Sequence, residues 1–467
     1  MSIEMSPAMW YNRGMDCMHR RRLFQFGGVS LLSAGLLQTL ASRAAAQPIE
    51  ARARACILLF QVGGPYQAET FDPKPDAMAE VRGLYRPIAT RVPGLRVTEA
   101  LPRVAEHADK FAILRGMHHT IRCHNPAIYC SLVGREATDP MAVSNRTAAR
   151  RTDHPHFASV VARLRPPRTS MPFHVIIPNT TNNGPSKSPG LLGGYLGAAY
   201  DPFVLGADPG DPDFRVESLA SPVDLGVDRL ESRQSLLERF DSQRRAVDRA
   251  SVQSMDTLYQ RAFNMLTAPQ SRSAFDLARE PDRVRDRYGR HSQGQCALLA
   301  RRLVEAGVPF VSVFSHVDVD RGSWDTHQNH NARVRDLLPP ADQSFSALLE
   351  DLHQRGMLDS TLVIWMGEFG RTPRMGVQFS NNTNNVGGRD HWCNCYSVVL
   401  AGGGVRGGQV IGSSDQLSAY PRERPVHVSE LQATIFHLMG VDPRAQLYDI
   451  QGQFHTICDG NPVTELF

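Results

Sequence analysis

The chain has 467 residues and a formal charge of +4, from 51 basic and 47 acidic residues. That length exceeds an ordinary domain and leaves ample chain for a deep core, so one elaborated domain is expected. Charges of both signs are interspersed, which argues against a basic stripe for nucleic acid; that the only lysines are Lys74, Lys110 and Lys187 reads as composition bias rather than anion recognition.

In chain order, the first 46 residues read as an address. "HRRRLFQFGGVSLLSAGLLQTLASRAAAQ" runs from a basic cluster holding the twin arginines Arg20 and Arg21, through an apolar stretch, to a small-residue cleavage pattern before Gln47. Gly27 to Leu40 is too short and too rich in Gly and Ser to span a bilayer comfortably. Export by the twin-arginine (Tat) translocase to the periplasm, or secretion by that route, is therefore expected, with no stable membrane span in the mature form. An uncleaved amphipathic anchor is the alternative. Cleavage would remove Cys17 and leave seven cysteines, an odd number, so at least one thiol stays unpaired within a monomer. No Cys-x-x-Cys pair is present for a zinc ribbon.

Beyond residue 46, apolar runs of strand length alternate with helical patterns, the sign of an α/β fold with a largely parallel sheet. Strands are predicted at Ala55 to Val62, Phe111 to Met117, Phe173 to Asn179, Pro309 to Ser315, Thr361 to Met366 and Tyr396 to Gly402, each bounded by Gly, Pro or polar loops. Helical patterns end at Gly307 ("CALLARRLVEAG") and Gly356 ("ALLEDLHQRG"), just ahead of the fourth and fifth strands. Residues from about 228 to 290 carry apolar positions three and four apart on densely charged segments, which predicts a helical insertion.

Ligands of open parallel sheets bind beyond the carboxyl ends of the strands, and the residues there are chemical ones. "QVGGP" follows the first strand, "HHTIRCHNP" the second, "WDTH" the fourth, and "GEFGRTP" the fifth, leading to "GGRDHWCNC". Asp325 and His327 are two apart, so in an extended segment they face one side and can reach one cation; alone, Asp325 or Thr326 reads as a cap for a helix beginning near His330, which would leave His327 and His330 in water. Glu368, which alone would pair with Arg371 or Arg374, and Asp390-His391, which alone would be a turn carboxylate beside a structural histidine, sit where the topology brings them to Asp325. The expected metal ligands are therefore Asp325, His327, Glu368, Asp390 and His391, and the mixed carboxylate–imidazole set suits Zn²⁺, Mn²⁺ or Fe²⁺ better than Ca²⁺.

"GGPYQAETFDPKP", "LRGMHH", "WDTH", "GEFGRTPR", "GRDHW" and "AGGGVRGGQVIG...ELQATIFHLMGVDP" together resemble, along nearly the whole mature chain, an exported sulfatase-like bacterial family of unknown function in the alkaline-phosphatase superfamily. The resemblance implies a three-layer αβα sandwich with a central sheet between helix layers, and a metal-dependent ester-hydrolase ancestry. "HNPAIYCSLVGR" is similar in layout to the sulfatase nucleophile motif, with Pro126 at its proline and Gly134-Arg135 at its Gly-Arg, but His124 stands in the nucleophile's place and Ile128 in the arginine's. That departure excludes formylglycine chemistry there. The superfamily's acidic pair falls on Gln61-Val62 and its later pair on Glu368-Phe369, while Tyr66 and Glu69 replace the family's usual Ser and Asp, so a complete two-metal site is not expected.

Two principal readings follow. One is a hydrolase in which a metal polarises a phosphate or sulfate ester, His124 attacks or transfers a proton at a helix N-terminus, and Arg371 neutralises the anion. The other is a catalytically degenerate periplasmic protein that binds an anionic glycan or a protein partner through the same cleft. The expected partner is an anionic small molecule or glycan in either case. Cys123, Cys393 and Cys395 flank His124 and His391; a redox or thiolate–metal role is weighed against a structural disulfide with one spare thiol, and the disulfide is favoured.

Overall fold

Three neighbouring strands end at one level, and that register places the site. In the computed structural model, which describes residues 49–137, 148–167, 169, 171–178, 189–216, 269–315, 323–380, 383–449 and 451–467, β1 (Ala55–Phe60), β5 (Phe310–Phe314) and β6 (Thr361–Met366) pair in parallel, with Phe60 opposite both Phe314 and Met366. The chain therefore leaves all three strands at the same height, at Gln61, Ser315 and Gly367. The sheet is completed by β2 (Phe111–His118), β3 (His174–Ile177), β4 (Phe203–Val204), β7 (Tyr396–Ala401), β8 (Gln409–Ile411) and β9 (Val426–His427). Its order is β8-β2-β7-β6-β1-β5-β3-β4, with β9 also on β2. Only β7 runs antiparallel to its neighbours. Tyr396 at its start lies opposite Met117 near the end of β2, so the segment leading into β7 arrives at the same rim.

The strands are Val/Ile/Leu runs because both faces are covered. Ile57 and Leu59 face one apolar cluster and Cys56, Leu58 and Phe60 the other. The first is closed by α3 (Pro269–Phe275), α4 (Asp282–Tyr288), α5 (Ser292–Glu305) and α6 (His330–Gln354). The second is closed by α1 (His124–Val133), α2 (Phe157–Leu164) and α7 (Val428–Leu438). The architecture is the expected three-layer αβα sandwich around a largely parallel sheet, within one unit from Glu50 to Phe467.

Residues 1–48, which carry the export expectation, and 217–268, most of the expected insertion, lie outside the described residues; the insertion's last part, α3 and α4, is helical. No helix among the described residues is long and apolar enough to cross a membrane. One expectation is corrected. The cysteines from Cys56 onward are all free and buried. Cys393 and Cys395 do not share a side: Cys393 packs in the core beneath the sheet, whereas Cys395 joins Trp392 and Ala419 in a separate cluster, with its Sγ 3.5 Å from the Arg115 carbonyl. Burial pushes the Cys393 thiol up to about 12, so without an ion it stays a neutral, unreactive thiol.

Candidate metal centre

The functional side chains reach the rim on three separate segments. β2 runs into the loop that starts α1, and the first helical residue of α1 is His124. The segment before α6 carries Asp325 and His327. His391 opens a two-residue strand, His391–Trp392, paired antiparallel with Gly370–Arg371, which puts His391 opposite Arg371. Four side chains converge: His124, Asp325, His327 and His391 each offer one ligand atom, all within 4.8 Å of one another.

Asp325 is the hub. Its Oδ1 lies 3.0 Å from His327 Nε2 and 3.2 Å from His391 Nε2, and its Oδ2 lies 3.2 Å from His124 Nε2. The Nε2 atoms of His327 and His391 are 3.0 Å apart. A tetrahedral ion with ligands at about 2.05 Å would set neighbouring ligand atoms about 3.3 Å apart, close to these separations. Two imidazole lone pairs facing each other across a carboxylate require a proton or a cation among them, so the donor set fits a divalent metal.

The far nitrogens of His124 and His391 meet a hydrogen-bond acceptor, and that of His327 faces a carboxylate. His124 Nδ1 lies 2.6 Å from Glu368 Oε1, His391 Nδ1 2.5 Å from the Arg122 carbonyl, and His327 Nδ1 3.5 Å from Asp390 Oδ1. A carbonyl or carboxylate can only accept, so Nδ1 carries a proton in His124 and His391 and their Nε2 atoms are turned to the cluster, the arrangement of metal-binding histidines. Phe369 stacks on His391 with ring centroids 4.5 Å apart and covers the apolar side. The Asp325 side chain, 30% exposed, opens the group to solvent, whereas His391 is fully buried.

Electrostatics follow from this crowding. Burial would raise the Asp325 carboxyl, but His124 and Arg371 beside it outweigh burial and hold it well below the usual carboxylate range. Burial would likewise lower His124, yet Asp325 and Glu368 push it up to about 9. Burial, then the positive charge on His124, presses His391 down to about 3. A second buried ring, His119, accepts the Ile121 N–H at Nδ1 and donates from Nε2 to the Glu368 carbonyl at 2.6 Å; burial lowers it to about 4.

The structure sorts the sequence-predicted residues by depth. Asp325, His327 and His391 come together as expected. His124, expected as nucleophile or acid–base, lies among the ligand atoms. Glu368 and Asp390, expected as ligands, stand one layer behind. Glu368 accepts the Gly63 N–H at 2.9 and 3.1 Å and holds His124; Asp390 accepts the N–H groups of Phe379, Ser380 and His391 at 2.6 to 2.7 Å and faces His327. Arg371, expected to meet a substrate anion, is fully buried: it donates to the carbonyls of Gly63, Gly64 and Arg389 and, at 2.7 Å, to Asp325 Oδ1, so it braces the ligand loop. The capping reading fails too, since α6 begins after Asn329 with no side-chain cap, and His330 is buried rather than in water. Sequence reasoning missed the anchoring roles of His119 and the Arg122 carbonyl; the adjacent histidines of "HHTIRCH" were the one available signal.

A family model described as "Protein of unknown function (DUF1501)" matches residues 53–467. The chain belongs to this family. The match takes in all four converging side chains of this DUF1501 protein. A comparison with curated proteins finds no match. Solved structures similar to the DUF1501 chain include a lipoteichoic acid synthase from Listeria monocytogenes (9% identity, 84% of this chain and 73% of that chain covered, TM-score 0.41). A phosphonate monoester hydrolase from Silicibacter pomeroyi (13%, 88% and 76%, 0.39) and an alkaline-phosphatase-superfamily protein from Vibrio parahaemolyticus (11%, 90% and 72%, 0.38) are also similar.

Proposed function

We propose that this protein is an exported, metal-dependent hydrolase of phosphate or sulfate esters, working without formylglycine. The observation that carries the proposal is the set of three imidazole Nε2 atoms around one carboxylate, two of the rings backed by a hydrogen-bond acceptor, at the solvent-reaching rim of the sheet. His124, Asp325, His327 and His391 would hold the ion. Three imidazoles favour Zn²⁺, Mn²⁺ or Fe²⁺ over Ca²⁺. The ion would supply Lewis acidity toward an ester oxygen and an acidified water.

The chain's own residues have separable tasks. Glu368, Asp390 and the Arg122 carbonyl fix ring orientation. Arg371 keeps Asp325 ionised and in place. His124 stands at the first turn of α1, the positive end of the helix dipole, which favours an anionic substrate there. Glu368 and Arg371, the charged side chains next to the ligand set, are fully buried and engaged, so neither is free to attack a substrate.

Gln61 supports the second reading, a binding protein for an anionic glycan or protein partner. Where the resemblance calls for a carboxylate, its Oε1 accepts from Gln293, Ser315 and Trp324 at 3.0 to 3.2 Å and is closed to an ion. Metal analysis and turnover separate the two. The hydrolase reading expects about one Zn²⁺, Mn²⁺ or Fe²⁺ per chain, its loss in Asp325→Asn, and hydrolysis of an aryl phosphate or aryl sulfate that disappears with the metal. Stoichiometric metal with no turnover of either ester would favour the binding protein, and a metal-free native protein would overturn the site. Export is tested separately: Arg20→Lys with Arg21→Lys should abolish transport.

A further inference from the structure

We infer that Glu69 and His330 are positioning residues for the metal centre, acting through the hydroxyl of Thr326 to preset the two ligands on either side of it. The inference rests on reading the four-residue cluster as a metal site. Along residues 324–327 the side chains alternate in depth. Trp324 and Thr326 are 2% and 1% exposed, whereas Asp325 and His327 keep partial access to solvent. Inward positions are anchors and outward ones ligands.

The inward anchors have different partners. The Trp324 indole N–H donates to Gln61 Oε1 at 3.1 Å, and its backbone N–H to the Val62 carbonyl at 2.8 Å. Thr326 Oγ1 lies 2.7 Å from His330 Nδ1, and His330 Nε2 lies 2.8 Å from Glu69 Oε2. Glu69 also accepts the Leu84 N–H at 2.8 Å. With Glu69 a carboxylate and burial keeping the His330 ring neutral, Nε2 donates to Glu69 and Nδ1 accepts, so the Thr326 hydroxyl donates and its rotation is fixed. The Glu69 and His330 side chains are each 1% exposed.

The backbone leaves the segment little room to shift. A Cβ on Gly63 would stand 2.3 Å from the Asp325 nitrogen, and one on Gly388 would stand 1.8 Å from the His327 carbonyl oxygen. Thr326 and His327 carbonyls each accept an N–H at 2.9 Å, from Arg389 and Asn385. Only side-chain rotation about an inward residue remains to be set, and the Glu69–His330 pair sets it. A pair buried only for stability would need no hydroxyl at its end.

The experiment titrates cobalt(II) alone into the full-length metal-free protein and follows the ligand-field absorption. Partners behind metal ligands are worth roughly 10–100-fold in affinity. Thr326→Val keeps the volume and removes the hydroxyl, so cobalt should bind at least roughly tenfold more weakly, with an altered spectrum. Thr326→Ser keeps the hydroxyl and drops the methyl, and should bind as wild type. Glu69→Gln should match Thr326→Val, and the double variant should be no worse than either, because both act through one chain of hydrogen bonds. Undiminished binding in Thr326→Val, or weak binding in Thr326→Ser with tight binding in Thr326→Val, overturns the inference and leaves a packing role. Wild-type protein that binds no cobalt overturns the site itself. Should Glu69→Gln fail to fold, the Val and Ser variants decide alone.

Discussion

His124 sits between two carboxylates, and that makes metal binding a proton-exchange reaction. Burial alone would lower the ring, but Asp325 and Glu368 raise it to about 9. In the ion-free protein this preference stabilises the fold fully below the ordinary histidine value near 6.5, and the contribution is lost as pH rises through about 9. An ion must first displace that proton, so apparent affinity should climb about tenfold per pH unit between 7 and 9 and then level off. Glu368→Gln removes one of the two charges, and the plateau should arrive at lower pH. Competition titrations at several pH values check both; a flat profile would remove His124 from the ligand set. This residue also marks what the sequence could not tell. It showed which loops meet, but not the order of atoms across the rim, because a histidine, a glutamate and an aspartate on converging loops can exchange inner and outer places without any change in pattern. Glu368 loses the inner place to His124 because the Gly63 N–H already binds its carboxylate.

Elements were more legible than atoms, for a physical reason visible in β6. Its six residues, Thr361–Met366, match the expected bounds because a run buried on both faces ends where the chain meets polar rim residues. α6 was less legible. The pattern pointed to its second half, yet the helix runs 25 residues, through Pro339 and Pro340. Val334, Leu337, Leu338, Ala341, Phe345, Leu348 and Leu352 keep one apolar stripe across the prolines, and packing of that stripe overrides the local breaker. The same layer holds a buried charge cluster that sequence patterning did not reveal. Arg301, fully buried, lies 2.9 Å from carboxylate oxygens of both Glu280 and Asp351, and Tyr288 donates to Asp351 at 3.0 Å, so α5 and α6 are tied to the stretch from α3 to α4. Arg301→Ala leaves two buried carboxylates without their common partner and should cost about 3–5 kcal/mol in denaturant unfolding. Hydrogen exchange should locate the damage: residues 269–288 should lose protection before α1, α2 and α7 do. Uniform loss across both helix layers would mean that the cluster is not a local clamp.

At the scale of the molecule, the layered architecture was readable from alternation alone, since strands buried on both faces and helices with one apolar stripe have few other ways to pack. The site was half readable, because a parallel sheet gathers loops from distant stretches at one edge, and β1, β5 and β6 deliver theirs in register. That long-range gathering makes the proposed ion a stabiliser of the whole fold. Its ligands come from the loop after β2, the segment before α6 and the segment before β7, separated by about two hundred residues and then by more than sixty, and an unfolded chain cannot present them together. An ion that binds only the folded state at a hundred times its dissociation constant adds about 2.7 kcal/mol. With an unfolding entropy of about 2.1 cal/mol/K per residue over the unit from Glu50 to Phe467, Tm should rise by about 3 °C. Scanning calorimetry of chelator-treated protein with and without Zn²⁺ measures this, and Asp325→Asn is the control. A shift that persists in Asp325→Asn would place the ion elsewhere, and a Tm unmoved by saturating Zn²⁺ would show that these loops are held together without a metal.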